Sequence, residues 1–409
     1  MGSRSCVDAQ IAPDDTKPAA PVIVPSGGWT PRSCYMLGLL SFIAAFNYLD
    51  RSLLSLLIPQ IKAEMEISDT MLGLVSGLAF TLFYSFMGVP IARLADATNR
   101  RNIVAVGLAF WSLMTALTGA VTNVWQLAAT RFLMGAGEAS NIAPSNSILA
   151  DLFDRTRRPM ALAIFTSSNA IASLVFFPLA GWIAFNYGWR VTFIAAGVPG
   201  LILAILLFTT TREPERGANE ERRAGSRFSF REAISFLGGA RSFGLVTAGG
   251  CTMGVSLNAT VIWTPTFLER VHALDLTSIA SLLGIVRGLA GVCGGLLAGL
   301  IIQRLSARDE RWLLWVPAIS AALSALSEIV FLLAETLPVA MIGLALVTAF
   351  NTACLGPIYA ACMSIGTLRM RATVAALYLM IVNLIGISLG PLLAGFLNDA
   401  LNPTFGAEA

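Results

Sequence analysis

Two acids and two arginines lie inside long apolar stretches of the chain, where charged residues are rare. Asp50 and Arg51 are adjacent within the segment FNYLDRSLL. Arg131 and Glu138 lie seven residues apart in a later stretch, so two helical turns place them on one face. A charge at the centre of a bilayer costs at least ~2.5 kcal/mol unless it meets a partner or water. Because the four charges sum to zero, burying them together is the cheapest arrangement.

This set of side chains supports proton and anion chemistry. Carboxyl groups inside a membrane are natural carriers of a coupled proton. An arginine can hold an anionic headgroup through two parallel hydrogen bonds. Neutral Asn47 shares the helix face of Asp50 and Arg51 and belongs to the same candidate site. The alternative is a buried ion-pair network that only fixes packing.

Two further charges lie in apolar stretches of the second half of the chain. Arg287 lies too deep for its side chain to reach the membrane surface easily, so we expect it to face a central cavity and bind substrate. Glu328 lies close to the end of its stretch, where a carboxylate can reach the interface. The single histidine, His272, lacks Cys or carboxylate partners, so we predict no metal site and no cofactor.

The composition indicates an integral membrane protein. Of the 409 residues, 56% are hydrophobic and only 12% are charged, and the mean hydropathy is +0.73. A soluble chain of this size carries roughly twice that fraction of charge. The net charge of +3 is too small to suggest a nucleic-acid partner. The six cysteines form no CxxC pair, and we interpret them as reduced packing residues.

The apolar stretches predict eleven membrane-spanning helices and no strand, because about 20 apolar residues cross a bilayer. The spans cover residues 34–58, 70–94, 102–120, 124–150, 160–186, 190–210, 241–268, 276–303, 312–334, 338–366 and 371–398. The expected fold class is therefore an all-α polytopic membrane protein.

A polar, charged segment separates the first six spans from the last five. It divides the chain into a disordered tail, a six-helix bundle, a cytoplasmic linker and a second helix bundle: 1–33, 34–210, 211–240 and 241–409. FFPLAGW in the fifth span is similar to LGPLLAGF in the eleventh, which suggests two related halves. Two pseudo-symmetric bundles around a midplane site are typical of secondary transporters.

The basic residues predict the orientation. With the N-terminus inside, most of the 27 Lys and Arg residues fall in inside segments, as the positive-inside rule requires. We expect a protein of a bacterial inner membrane with a cytoplasmic N-terminus.

The loop ARLADATNRRNIV after the second span carries an acid followed four and five residues later by basic residues, Asp96, Arg100 and Arg101. This spacing resembles the signature loop of the major facilitator superfamily. The resemblance implies that these three residues latch the cytoplasmic ends of the helices and gate transport. Three positions depart from the family pattern: Ala92, Ala97 and Asn99. Asn99 can take the left-handed conformation that glycine adopts.

The superfamily resemblance also implies two pseudo-symmetric six-helix bundles, whereas eleven spans are visible. Either this sequence is cut before a twelfth span or the family plan is broken here, and we expect the cut.

A narrower resemblance is to Spinster-type transporters. It rests on NYLDR, RLADATNRR, RFLMGAGEASNIAPSNSILADLF and RTRRPMALAIF in the first half, and on GISLGPLLAG in the second. That family is associated with lysolipids and sphingosine phosphate. The resemblance implies that Asp50 and Glu138 are the proton-coupling acids. It also implies that Arg51 and Arg131 hold these acids or the phosphate of the lipid.

The resemblance thus implies a monomeric, proton-coupled transporter of an amphipathic anionic lipid, with protons and membrane lipids as its other partners. NYLDR is also similar to the start of anion–cation symporters that take up sugar acids, so a symporter of small organic anions is an alternative. A drug–proton antiporter is another. A non-transporting receptor is less favoured. The sequence shows no nucleophile–base set, so we do not predict an enzyme.

The wall of the second-half cavity distinguishes lipid from sugar acid, because a sugar needs several convergent hydrogen-bonding groups. The candidate lining residues are Thr247, Ser256, Asn258, Thr260, Asn351 and Tyr359. Many aliphatic residues separate them, which favours a lipid. Of these six, we predict that Asn351 and Tyr359 bind substrate.

Asp96→Ala tests the latch. Loss of the acid should shift the protein away from the outward-open state, because in the family pattern the latch closes the inner mouth. Accessibility labelling of a cysteine placed in the inner half of the cavity measures this shift. Unchanged labelling would remove Asp96 from the gate.

Overall fold

The computed structural model describes residues 28–154, 156–216, 239–306, 308–309, 311–365 and 371–405. Within these ranges the regular secondary structure is helical and no strand occurs, so the all-α prediction is confirmed. The predicted disordered tail and the predicted linker lie mostly outside the described residues.

The described ranges form fourteen α-helices, which we number in chain order. The first half contains α1 Pro31–Met65, α2 Asp69–Gly73, α3 Phe80–Ala97, α4 Arg100–Thr118, α5 Val124–Glu138, α6 Ile142–Leu152, α7 Arg158–Ile171 and α8 Phe177–Thr210. The second half contains α9 Arg241–His272, α10 Leu276–Ile285, α11 Gly291–Ser306, α12 Trp312–Leu333, α13 Leu337–Ile365 and α14 Arg371–Phe405. Three π-helical turns join α2 to α3, α7 to α8 and α10 to α11: Leu74–Ala79, Ala172–Phe176 and Val286–Ala290.

Nine helical segments of the described chain are long and apolar enough to cross a membrane, against the eleven spans predicted. The predicted fourth span is split into α5 and α6, each too short to count alone. The predicted fifth and sixth spans are counted together within the segment 158–210. Gly188 breaks that segment with φ of +82°, a value that only glycine adopts easily.

Local capping fixes where two of the helices begin. Thr30 and Ser33 form a capping box at the start of α1, and Pro31 occupies the first helical position. Asn99 has φ of −74° and ψ of 110°, so it is extended and not left-handed. Its side chain instead accepts a hydrogen bond from the Asn102 N–H at 3.0 Å, which caps α4.

The two halves pack against each other near the connection between α1 and α2. We call this the outer end, because the basic residues place it outside. A methyl group on Gly73 would collide with the Pro391 carbonyl of the other half, and one on Gly181 would collide with Ala280. Glycine therefore permits the close approach of α2 to α14 and of α8 to α10.

An outer latch of four charged residues joins the halves at this end: Lys62, Asp69, Arg270 and Asp399. The carboxylate of Asp69 is buried and lies 2.5 Å from the Lys62 ammonium. Arg270, from the second half, donates to it through two guanidinium nitrogens at 3.1 Å. A carboxylate that pairs with two cations stabilises a contact more than a single exposed ion pair does.

Asp399 completes the outer latch by capping a helix of the other half. Its carboxylate accepts hydrogen bonds from the main-chain N–H groups of Asp69 at 3.1 Å and Thr70 at 2.7 Å. These donors belong to the first turn of α2, where N–H groups have no partner within the helix and negative charge is favoured. The two halves are thus tied by both charge pairing and helix capping.

In the first half α8 lies close on α4, and a methyl group on Gly200 would meet the Ser112 side chain. In the predicted two-half repeat, α12 corresponds to α4. Both helices carry exposed apolar side chains, such as Phe110 of α4 and Leu326 of α12.

Asp69→Asn should weaken the outer latch, because the amide keeps the size of the side chain but removes the charge that Lys62 and Arg270 share. Spin labels on cysteines placed at the exposed positions Ala63 and Ala400, in a background without the native exposed cysteines, measure the separation of the halves. We expect the distance distribution to extend to longer values.

Glu64→Gln is the matched control, because Glu64 binds Arg190 and Trp189 within the first half only. It should leave the distance distribution unchanged. An equal change in both variants, or none in Asp69→Asn, would contradict a latch between the halves.

Candidate functional site

A cavity of about 560 Å³ lies between the two halves. Arg51 and Arg131 line it from the first half, and Arg287 and Asn351 line it from the second. The structure therefore brings together three arginines that the sequence places in three different spans.

Arg51 and Glu138 form a direct ion pair. The Arg51 Nε donates to Glu138 Oε2 at 2.5 Å, and Glu138 is fully buried. The Arg51 guanidinium also lies over the rings of Phe80 and Tyr84, at 5.1 and 4.6 Å from their centroids. The side chain is 28% exposed and lines the cavity, so it can bind a ligand without leaving the acid.

Arg131 and Asp50 do not form the corresponding side-chain pair. Arg131 Nη1 donates to the main-chain carbonyl of Asp50 at 3.2 Å, and its guanidinium lies 4.9 Å from the Phe193 ring centroid. Its Nε and Nη2 are buried without a hydrogen-bond partner, as is Asp50 Oδ1. The expected four-charge network is thus a direct pair beside two buried groups whose hydrogen-bonding capacity is not filled.

Asn47 is buried next to this group of charges and does not line the cavity. Its side chain lies close to the carboxyl group of Glu138, and its Nδ2 has no hydrogen-bond partner. A direct contact with substrate would require the side chain to move.

Arg287 lies in the π-helical turn Val286–Ala290 and faces the cavity. Its Nη2 donates to the Val261 carbonyl at 2.8 Å, while Nη1 is buried without a partner. Its guanidinium lies 5.4 Å from the ring centroid of Phe177 in the other half. No acid among the described residues forms an ion pair with it, so an anionic ligand would be its counter-ion. A π-turn often marks a functional position.

The two neutral residues of the second half that we predicted to bind substrate lie in different places. Asn351 lines the cavity, and its Oδ1 accepts from the Ser324 hydroxyl at 2.9 Å. Tyr359 is not among the lining residues and packs near Tyr378, with ring centroids 6.3 Å apart. Its role in binding substrate stays a prediction.

Only some of the other candidate wall residues line the central cavity. Asn258 and Thr260 line the central cavity, whereas Thr247 and Ser256 do not. Sequence reasoning missed the polar wall of the first half, which comprises Tyr48, Ser52, Ser76, Thr166, Ser167, Asn169 and Ser173. Small hydroxyl residues are common in membrane helices, so their presence in a span gives only a weak signal of a site.

The predicted gating residues Arg100 and Arg101 tie helix ends together. Arg100 pairs with Asp151 at 2.5 Å and with Glu213 at 2.6 Å, and its side chain is almost fully buried. Arg101 donates to the carbonyls of Phe208 and Thr211, which caps the end of α8. The Asp96 side chain lies outside the described residues, so its part in the latch stays a prediction.

Glu213 is a member of this cluster that the sequence analysis missed. Its carboxylate also accepts from the Arg101 N–H at 2.8 Å, in the first turn of α4. Its position just after the sixth span was the available signal, but the segment around it contains many charges.

A family model described as the Major Facilitator Superfamily matches residues 40–401. The chain belongs to this superfamily. It is therefore an integral membrane transporter with the major facilitator fold, as the loop motif predicted.

Known members of the Major Facilitator Superfamily resemble the chain over most of its length. An MFS-type efflux pump of Mycolicibacterium smegmatis is 32% identical over 382 residues, which cover 92% of this chain and 87% of the pump. A probable L-galactonate transporter of Escherichia coli is 31% identical over 304 residues, or 70% of this chain and 67% of that protein.

The crystal structure of a bacterial homologue of the human lysosomal transporter Spinster, inward-facing and unoccupied, matches with a TM-score of 0.81. Sequence identity is 28%, and the match covers 92% of this chain and 84% of that chain. The resemblance to Spinster-type members of the superfamily is confirmed.

Arg51→Ala should destabilise this transporter more than Arg287→Ala. Removing Arg51 leaves the buried Glu138 carboxylate without its cation, which costs roughly 3–5 kcal/mol for a fully buried pair. Arg287 pairs with no carboxylate among the described residues, so its removal leaves no such group without its cation. Thermal unfolding of the purified variants without ligand measures the difference, and Arg131→Ala should likewise melt below Arg131→Lys, since lysine keeps the charge but not the planar group.

An Arg287→Ala protein that melts as low as Arg51→Ala would contradict this division between a paired and an unpaired arginine.

Proposed function

We propose that this chain is a proton-coupled secondary transporter of an amphipathic anionic lipid, such as a lysophospholipid or a sphingosine-phosphate-like molecule. The observation that carries the proposal is the central cavity, whose wall includes Arg131 and Arg287, each with a buried N–H group that no described residue accepts. A phosphate offers several acceptor oxygens to such groups.

Charge balance supports an anionic ligand. Arg51, Arg131 and Arg287 supply three positive charges, whereas Asp50 and Glu138 supply at most two negative charges. An unbalanced cation in an apolar bundle is costly, so an anion entering the cavity relieves that cost. Arg287 is the cation with no acid of its own and is the best placed to hold the headgroup.

Proton coupling follows from the ion pair at Glu138. A proton on Glu138 removes the charge that holds Arg51, and Arg51 then has its full charge available to an anion in the cavity. Conversely, an anion bound to Arg51 lowers the cost of neutralising Glu138. Proton and anion therefore favour each other's binding, and this coupling is reciprocal. Asp50 lies beside Arg131 and is only 1% exposed. It is the second acid that we assign to the coupling.

The wall of the cavity supports a lipid tail. Aliphatic and aromatic residues alternate with the polar ones and come from both halves: Leu54, Phe80, Met134, Leu257, Val261, Ile262, Leu344, Val347, Leu355 and Ile387. An acyl chain gains from burial against such surface at roughly 0.8 kcal/mol per buried CH₂ group. A small hydrophilic acid would leave these surfaces in contact with water.

Uptake of a sugar acid is the second candidate. The hydroxyl and amide groups of Ser52, Thr166, Asn169, Asn258 and Thr348 could hydrogen-bond a sugar, and the probable L-galactonate transporter is one of the relatives. The efflux pump among the relatives likewise favours a drug–proton antiporter.

One chain supplies the whole cavity in this proposal, which supports a monomer. The excess of Lys and Arg in the predicted inside segments supports a cytoplasmic N-terminus in a bacterial inner membrane.

Uptake into proteoliposomes under an imposed pH gradient tests the proposal. Wild-type protein should accumulate labelled lysophospholipid and not labelled hexuronate. Asp50→Asn and Glu138→Gln should fold and bind lysophospholipid but lose proton-driven accumulation, because the amides keep size and polarity while removing titration.

Glu335→Gln is the matched control, because Glu335 is exposed at the connection between α12 and α13. It should transport as wild type does. Accumulation of hexuronate in place of lysophospholipid would establish the second candidate, and normal accumulation by both acid variants would overturn the coupling assignment.

A further inference from the structure

A second cavity of about 580 Å³ lies in the second half, between α9, α12 and α14. We call it the lateral cavity. Thr260 and Thr264 of α9 line both this cavity and the central one, so a single helix face separates the two. Glu328 is the acid among the described residues that line the lateral cavity.

Glu328 bonds to the separating helix. Its Oε1 lies 2.9 Å from the Thr260 hydroxyl, and the same hydroxyl lies 2.9 Å from the Ser256 carbonyl. The other carboxyl oxygen, Oε2, is buried without a hydrogen-bond partner.

The hydroxyl of Thr260 has one hydrogen for these two neighbouring oxygens. If Glu328 were ionised, that hydrogen could bond either the carboxylate or the Ser256 carbonyl, and the other oxygen would lack a hydrogen bond. A protonated Glu328 donates to Thr260 Oγ1, which then donates to the Ser256 carbonyl, and both bonds form. The geometry is therefore satisfied by the neutral acid and not by the carboxylate.

Among the described residues around Glu328, no unpaired cation is available to stabilise an ionised form. The other charged residue that lines the lateral cavity is Arg270 of α9, and its guanidinium is engaged by Asp69. The lining residues of α14 are uncharged, and α12 and α13 carry no basic residue within their bounds. A carboxylate with one buried, unpartnered oxygen and no cation is strongly disfavoured.

We propose that Glu328 is a further proton-binding site of the transporter, protonated and hydrogen-bonded to Thr260 at the wall between the central and lateral cavities. This site goes beyond the coupling assigned to Asp50 and Glu138, because it lies in the other half and does not depend on them. It places an exchangeable proton one hydrogen bond away from a residue that lines the central cavity.

Infrared spectroscopy of the purified full chain tests the proposal, because a protonated carboxyl group has a carbonyl stretching band that a carboxylate lacks. At neutral pH, the difference spectrum between wild type and Glu328→Gln should show the loss of one such band. Thr260→Val should keep the band but move it to higher frequency, because the hydrogen bond to the hydroxyl is lost.

Glu335→Gln is again the control, since Glu335 is exposed at the connection between α12 and α13 and its replacement should leave this spectral region unchanged. Identical wild-type and Glu328→Gln spectra in this region would overturn the proposal. If Glu328→Gln does not fold, the spectrum of Thr260→Val tests the proposal by itself. An unshifted carbonyl band in that spectrum would overturn the assignment. These outcomes do not depend on the substrate or on Asp50 and Glu138, so they are separate from the fate of the proposed function.

Discussion

A guanidinium inside an apolar bundle must lie against a carboxylate, an aromatic face or water, and Arg51 has the first two at once. Its 2.5 Å contact with Glu138 joins α1 to α5, and its stacking over Phe80 and Tyr84 adds α3. Three helices that are distant in sequence are thereby held in one relative position. This contact positions part of the first-half wall of the central cavity, whose other polar residues lie on α1, on α7 and in the π-helical turns that precede α3 and α8.

The two ends of the bundle are held by carboxylates that cap helices elsewhere in the chain. Asp399 accepts from the first turn of α2 across the boundary between the halves, and Glu213 accepts from the first turn of α4 within one half. Each uses N–H groups that a helix cannot satisfy internally. The outer contact must break for the halves to separate at that end, whereas the inner one can persist as its half moves.

The sequence was sufficient for features that depend on composition and helical periodicity. Apolar stretches predicted an all-α membrane protein, and the spacing of Asp50, Arg51 and Glu138 placed charges where two spans could meet. It could not show that Arg131 would choose the Asp50 main-chain carbonyl over the Asp50 carboxylate, because that depends on side-chain rotamers and local packing. The outer latch was also out of reach, since Asp69, Arg270 and Asp399 lie in separate regions that only the tertiary fold brings together. Hydropathy could not show the break between α5 and α6 or the kink at Gly188, because both depend on the local backbone conformation.

The three π-helical turns of the described chain interrupt helices that face the boundary between the halves. A π-turn holds one residue more than an α-helical turn, so it stores an extra residue within the helix. Conversion of such a turn to regular α-helix would rotate all that follows it by about 100° around the helix axis. Arg287 lies within one of these turns, and such a rotation would swing its guanidinium away from Val261 and Phe177 and withdraw it from the cavity. The helix itself thus offers a way to change the charge at the cavity wall without moving either bundle as a whole.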